Sequence, residues 1–350
     1  MKEIKIRALN DFARRALIWA QVSPEDAACI ADMLVMTDTF GVLSHGTKNL
    51  YQYILKCREG GLDPKAQPRI VKEGPAWAIM DGNNAFGTAT ACKAMKLAIE
   101  KARACGIGYV GVRDSCHFGA AGCYSNLAAM NGMIGLAMSN ADPNMAVPNG
   151  SGMAIGNNPF SFAVPYKDDQ TVFLDMALSN VAALKVIMAK EAGKQVPNGW
   201  LVDKDGLPTN DPSDFPNTSF LLPVGAHKGY GLAVMVETLS AVLTGAGMLS
   251  QVPSWNRDLS AKNNTGNAFI AIDIAQIMPM DEFRARVAHM VDELKAFPKA
   301  KGAEQIFMPG EIEWNKRRSA LEKGSIEITD AMVENMRALS ELTGEAIDWN

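Results

Sequence analysis

The sequence predicts a mixed α/β protein with a helical unit drawn from both ends of the chain. Three observations carry that class. From about residue 75 onward, short apolar runs rich in β-branched and aromatic residues alternate with helical stretches. The first 60 residues and the C-terminus both read as helical. At 350 residues the chain can bury a core in one large or two ordinary domains. We expect a helical domain of 1–70 with 311–350 and an α/β domain of 71–310. The pairing of the two ends rests on symmetry of composition.

Each element has its own local reason. Ser23-Pro24-Glu25-Asp26 offers an N-cap, a proline at the first helical position and early acids, so a helix should run to about Phe40. A second helix follows Gly46 and ends by Gly60-Gly61. Strands are expected over 77–80, 109–113, 133–138, 160–164, 171–176 and 268–272. Between the first two, Ala91, Met95, Ala98 and Ala102 form the apolar stripe of a helix, and Lys93, Lys96, Glu100 and Arg103 its wet face. The proline-rich stretch 197–223 reads as a long loop, a kind usually retained for function. The run from Leu232 to Leu243 is apolar nearly all round and is expected to be a buried helix; it is too short to span a bilayer and contains Glu237. Near the C-terminus Thr329 caps a helix with a buried stripe of Met332, Met336, Leu339 and Leu342, stopped by Gly344.

Gly106-Ile107-Gly108-Tyr109-Val110-Gly111 matches GxGxxG letter for letter. That motif works only with a strand before it and a helix after it, which aims a helix N-terminus at the pyrophosphate. Here a helix ends at Ala104-Cys105, Gly106 is its natural stop and a strand follows. The motif is refused, so any nicotinamide cofactor must bind outside a Rossmann fold.

Composition narrows the function. Charged residues at 21% and hydrophobic residues at 48% are those of a soluble globular chain. A net charge of -4 gives no basic patch for nucleic acid or an anionic membrane. The start lacks the apolar core of a signal peptide. The six cysteines, Cys29, Cys57, Cys92, Cys105, Cys116 and Cys123, form no CxxC pair, so neither a disulfide framework nor a metal site is expected. The chain reads as reduced and cytoplasmic.

Three of four histidines are flanked by glycine in polar breaks: Ser44-His45-Gly46, His117-Phe118-Gly119 and His227-Lys228-Gly229. Imidazole titrates near neutral pH, and glycine lets a ligand approach the backbone. His289 sits in a charged helical run and reads as ordinary. At helical spacing His45, Asn49, Gln52 and Tyr53 share a face, unusual for packing because unpaired buried polar groups cost about 1–3 kcal/mol each. The alternative is that Ser44 and His45 cap the helix and the others meet water. Ser115-Cys116-His117-Phe118-Gly119 lies at a strand-to-helix junction, where α/β proteins place ligands. A lone acid/base His117 is preferred there over a Cys116–His117 nucleophile pair, a metal site with Cys123, or a structural histidine. Asn140-Ala141-Asp142-Pro143 and Gly156-Asn157-Asn158-Pro159 read as turns. Asp175 ends a strand as a helix cap or a sugar acceptor. Lys228 enters a helix at its N-terminus and invites an anion.

Taken together and in order, these segments resemble the malate/L-lactate dehydrogenase family of non-Rossmann type, which includes ureidoglycolate and sulfolactate dehydrogenases, diketogulonate reductase and piperideine-carboxylate reductase. The pieces are Ser44-His45-Gly46, Asp81-Gly82 with Gly87, His117, Asn158-Pro159, Asp175-Met176-Ala177, the run from Trp200 to Thr209, Lys228-Gly229-Tyr230-Gly231 and Pro309-Gly310. The resemblance spans almost the whole chain. It implies a homodimer that binds NAD or NADP on a mixed, non-Rossmann sheet and transfers hydride to or from a small 2-keto/2-hydroxy acid. It makes His117 and His45 the acid/base candidates, His117 first. Asp175, Met176, Ala177 and Lys228 match its cofactor-contacting segments, joined by Asn158, Gly310 and Glu311. Ser44, Lys48, Asn49 and Tyr53 fall on the substrate side.

One position departs from the family. Arginine usually stands four residues after the histidine of Ser-His-Gly, suited to a substrate carboxylate; here it is Asn49. Lys48 lies about 100° round the helix and is no simple substitute. Either another cation holds the carboxylate or the substrate differs. The sequence does not choose between NAD and NADP, since the usual acid or arginine cue belongs to the rejected fold; NAD is set slightly ahead. The alternatives are a reductase of cyclic imino acids and, in other classes, a thiol hydrolase using Cys116 or a non-catalytic ligand-binding protein.

Overall fold

The structure, a computed structural model, describes residues 2–167 and 170–349. Seven strands build the central sheet: β1 (Arg69–Gly74), β2 (Trp77–Asp81), β3 (Ile107–Ser115), β4 (Met133–Ser139), β5 (Phe160–Lys167), β6 (Gln170–Met176) and β7 (Thr265–Asp273). Their order is β1-β2-β3-β7-β4-β5-β6. Only β2 and β3 run parallel; every other neighbouring pair is antiparallel. β7 arrives from far along the chain and inserts between β3 and β4, with Phe269 opposite Val110 on one side and Ala137 on the other.

Alternation along these strands sorts side chains to two faces. Val110, Val112, Phe269 and Ala271 pack under the helices Gly87–Cys105 and Gly122–Met130. Ala268 and Met138 pack on the opposite face with Ala233 and Val236 of the helix His227–Glu237. The helix Gly87–Cys105 buries the expected Ala91, Met95, Ala98 and Ala102 and stops at Gly106, whose φ is +83°. The strand begins at Ile107, so helix precedes strand and GxGxxG has no phosphate geometry.

The chain ends meet. Lys2–Lys5 pairs antiparallel with Ser325–Ile328. The helices Ile6–Trp19, Pro24–Thr39, Leu50–Arg58 and Asp330–Thr343 share a core that includes Phe12, Leu34, Ile54 and Met336. Both expected caps form: Ser23 accepts from the Asp26 amide and Thr329 from the Met332 amide.

Three expectations change. Lys2–Lys5 and β1 are strands that the sequence reading did not contain; β1 is exposed along nearly its whole length, so it shows no alternation. The 197–223 stretch is not structureless but folds back as a small sheet of Leu201–Val202, Pro208–Thr209 and Phe220–Leu221. The apolar run from Leu232 to Leu243 is buried on one side only. Leu232, Val234, Met235, Val242 and Leu243 are all exposed, because only one side of this segment meets the sheet. Among the described residues no helix is long and apolar enough to cross a membrane.

Candidate active site

The site starts with the turn between the helix Pro24–Thr39 and the short 3-10 turn Thr47–Asn49. Asp38 Oδ2 accepts from the Thr47 amide at 3.0 Å and from Thr47 Oγ1 at 2.6 Å. Its other oxygen presses on Gly46, where an added Cβ would stand 1.8 Å away. Glycine at 46 therefore makes room for Asp38, not for a ligand. Burial pushes the Asp38 carboxyl up to about 7. The turn presents His45, whose Nδ1 lies 2.9 Å from Ser44 Oγ.

The helix Leu50–Arg58 then supplies the buried Tyr53, whose hydroxyl meets His117 Nδ1 at 2.5 Å. Trp255 stacks on the His117 ring, with centroids 4.3 Å apart and planes 12° apart, and its ring centroid lies 5.2 Å from that of Tyr53. His117 Nε2 makes no hydrogen bond among the described residues. The two imidazoles stand 5.8 Å apart, centroid to centroid. Burial lowers His117 to about 3, with the charge of nearby His45 as a second cause. His45 is also lowered, by desolvation first and Lys48 second. Its ring is reached by solvent through the cavity while protein surrounds it. Burial holds the Tyr53 phenol well above its ordinary range, so it stays protonated at neutral pH.

Both histidines face one cavity of about 1030 Å3. Its wall also carries Ser44, Lys48 and Asn49. Asn49 Nδ2 donates to the Ser44 carbonyl at 3.0 Å, so the amide braces the turn that holds His45. Trp255 and Arg257 enter the wall from the irregular segment before β7. Arg257 Nη2 lies 3.4 Å from Asp142 Oδ2, and Arg257 Nε donates to Ser254 Oγ at 3.2 Å.

Comparison with known proteins decides the family. Residues 4–337 match the family model described as malate/L-lactate dehydrogenase. The chain belongs to that family. A malate dehydrogenase of Pyrococcus abyssi is 36% identical over 343 residues, covering 96% of this chain and 93% of that protein. Ureidoglycolate dehydrogenase (NAD(+)) of Escherichia coli K12 is 35% identical over 329 residues, covering 94% and 93%. Among solved structures, sulfolactate dehydrogenase from Methanocaldococcus jannaschii superposes with a TM-score of 0.92 at 36% identity, covering 99% of this chain and 98% of that one. This chain is thus a nicotinamide-dependent dehydrogenase of the class that acts on small 2-hydroxy acids, and its mixed sheet is the architecture of that family.

Within this family member, the residues singled out from sequence divide by position. Ser44, His45, Lys48, Asn49, His117, Asp175, Met176, Ala177 and Gly310 all line the cavity. Asp175 Oδ2 accepts from the Gly122 amide at 2.8 Å, at the start of the helix Gly122–Met130, so it caps a helix remote in sequence while facing the cavity. Burial and the neighbouring Glu313 raise Asp175 to about 6 against the Gly122 hydrogen bond. Four others lie elsewhere. Tyr53 stands behind His117. Asn158 is buried, donating to the Ala233 carbonyl and Glu237 and accepting from the Ala141 amide. Glu311 is engaged by Lys295 at 2.5 Å and by the Met308 amide at 2.9 Å. Lys228 is exposed at the start of its helix. Cys116 is fully buried, donates to Asn263 Oδ1 at 3.2 Å and has its thiol pushed up to about 11, the reverse of an activated nucleophile. Trp255, Arg257 and Asp142 were missed. The signal available was an aromatic and a cation in the polar break Pro253-Ser254-Trp255-Asn256-Arg257.

Proposed function

We propose that His117 is the acid/base of this dehydrogenase, with Tyr53 fixing its orientation and His45 and Arg257 holding the substrate. The observation that carries this reading is the His117 ring, hydrogen-bonded to the Tyr53 hydroxyl and stacked on Trp255, with Nε2 left without a partner among the described residues. In oxidation, His117 Nδ1–H donates to Tyr53 and Nε2 takes the proton of the substrate's C2 hydroxyl. A bound nicotinamide would supply the hydride acceptor for C2 in oxidation and the hydride donor in reduction. In reduction, the imidazolium gives its Nε2 proton to the forming alkoxide; a ring so reluctant to hold a proton is a strong acid at that moment.

The cofactor is placed along Asp175, Met176, Ala177 and Gly310. A dinucleotide fits this wall: the cavity slightly exceeds the about 300–1,000 Å3 of ordinary small-ligand pockets and mixes apolar side chains with a carboxylate acceptor. NAD is favoured over NADP, because Asp175 and Glu313 put negative charge in this wall where a 2′-phosphate would be repelled. Arg257, with Lys48, supplies the cation absent at Asn49; substrate carboxylate and Asp142 compete for the same guanidinium. The exposed apolar face from Leu232 to Leu243 supports a homodimer, since such a face in water is unfavourable. Six free cysteines support a cytoplasmic location.

Following nicotinamide absorbance with NAD and NADP, in both directions, over a panel of 2-keto acids, 2-hydroxy acids and cyclic imino acids tests this reading. Turnover of small 2-hydroxy acids with NAD is expected; activity on cyclic imino acids alone would transfer the proposal to that substrate class.

A further inference from the structure

Lys56 is fully buried, yet no carboxylate lies within ion-pair distance of it among the described residues. Its ammonium instead donates to the carbonyls of Asp258 at 2.9 Å and Ala261 at 2.6 Å. A buried cation with no carboxylate in contact is costly to the fold, and an apolar side chain of the same length would pack there at less cost. What it holds is informative. Residues 252–264 contain no regular strand or helix, so their backbone groups need partners from outside. Val252, Pro253, Ser254, Trp255, Asn256 and Arg257 of this segment all line the cavity.

The same helix supplies a second strap. Gln52 Nε2 donates to the Asn256 carbonyl at 2.8 Å. Positions 52 and 56 are one turn apart, with Tyr53 beside them on the adjoining turn face. One nine-residue helix thus fixes His117 through Tyr53 and, through Gln52 and Lys56, carries the segment whose Trp255 stacks on it. Close packing beneath leaves little slack: an added Cβ at Gly61 would stand 2.1 Å from the Leu259 carbonyl and 2.9 Å from Lys56 Nζ.

We infer that Lys56 is a positioning residue: by tying the Asp258 and Ala261 carbonyls to the helix Leu50–Arg58, it keeps Trp255 stacked on His117 and Arg257 at the cavity wall. The inference rests on the acid/base reading of His117 for its catalytic consequence, but the strap itself does not. Release of the segment admits water to His117. The imidazole then returns toward its ordinary pKa, and the substrate cation loses its fixed place.

Lys56→Met keeps the stem and removes both hydrogen bonds; Gln52→Leu removes the other strap at a less buried site and guards against a Lys56 variant that fails to fold. Acrylamide quenching of the Trp255 fluorescence, obtained by subtracting the Trp255→Phe spectrum, should rise about twofold in Lys56→Met and less in Gln52→Leu. The kcat/KM profile for oxidation should gain an acid limb between about pH 5 and 6.5 that the native enzyme lacks. KM should rise together with it. Unchanged quenching in both variants overturns the strap. Raised quenching with an unmoved pH profile, in an enzyme that His117→Ala inactivates, overturns the positioning role. If His117→Ala instead remains active, the acid/base reading has failed, and the quenching result still decides the strap.

Discussion

The His117 and His45 rings lie 5.8 Å apart in one cavity, both with lowered pKa values, but their surroundings hold them differently. His117 is packed against a phenol and an indole, and its pKa falls to about 3. His45 is held by Ser44 on a short turn, with its ring reached by solvent. The first setting suits a proton transfer shielded from water. The second suits a group that binds and orients a polar substrate. Identical side chains acquire different chemistry because desolvation, not residue type, sets the free energy of the charged form.

The largest effect should come from removing the enclosed imidazole. His117→Ala is expected to lower kcat about 10²–10⁴-fold, the usual contribution of a positioned acid/base. His45→Ala should cost roughly 10–50-fold in kcat/KM, mostly through KM, as loss of a binding contact does. Steady-state kinetics of the pair checks the comparison directly, and a larger kcat loss at His45 would reverse it. Arg257→Met should raise KM for the carboxylate substrate about tenfold with a smaller change in kcat, the scale of one hydrogen bond to a charged group; an unchanged KM would leave Lys48 as the anchoring cation.

Titration sharpens the same contrast. Oxidation requires neutral His117, so activity is lost only as pH falls toward about 3, and the profile should be flat at neutral pH. For stability, the folded His117 pKa lies below its unfolded value, so the unfolded chain takes the proton first. Its contribution is present above about 6.5 and is lost as pH falls from there toward 3. Asp38 behaves in the opposite sense. Its folded pKa is raised from 3.8 to about 7, so its contribution is present below 3.8 and is lost as pH rises through 7. Asp38→Asn should therefore remove part of the stability loss between pH 5 and 8, on the order of 1–2 kcal/mol, in urea unfolding at the two pH values. An identical pH dependence in the variant would show that Asp38 is ionised in the folded protein.

The caps at Ser23 and Thr329, the stripe from Ala91 to Ala102, the inner strands and the refusal of GxGxxG were all legible in the sequence, because each leaves a local pattern of residue types. So were His45 and His117, marked by residue type and by the order of the surrounding motifs. Tertiary structure decided the rest. Tyr53 shares a helical face with His45 in sequence, yet its hydroxyl belongs to His117, 64 residues away. Gly46 and Gly229 make room for Asp38 and for the Val224 carbonyl, not for a ligand. The Lys2–Lys5 strand exists because a distant partner completes its hydrogen bonds, and the exposed β1 because the adjoining β2 does. Trp255 and Arg257 carry no periodic signal. The segment that joins them to the site is irregular, and only the folded chain brings its carbonyls to the helix that holds it.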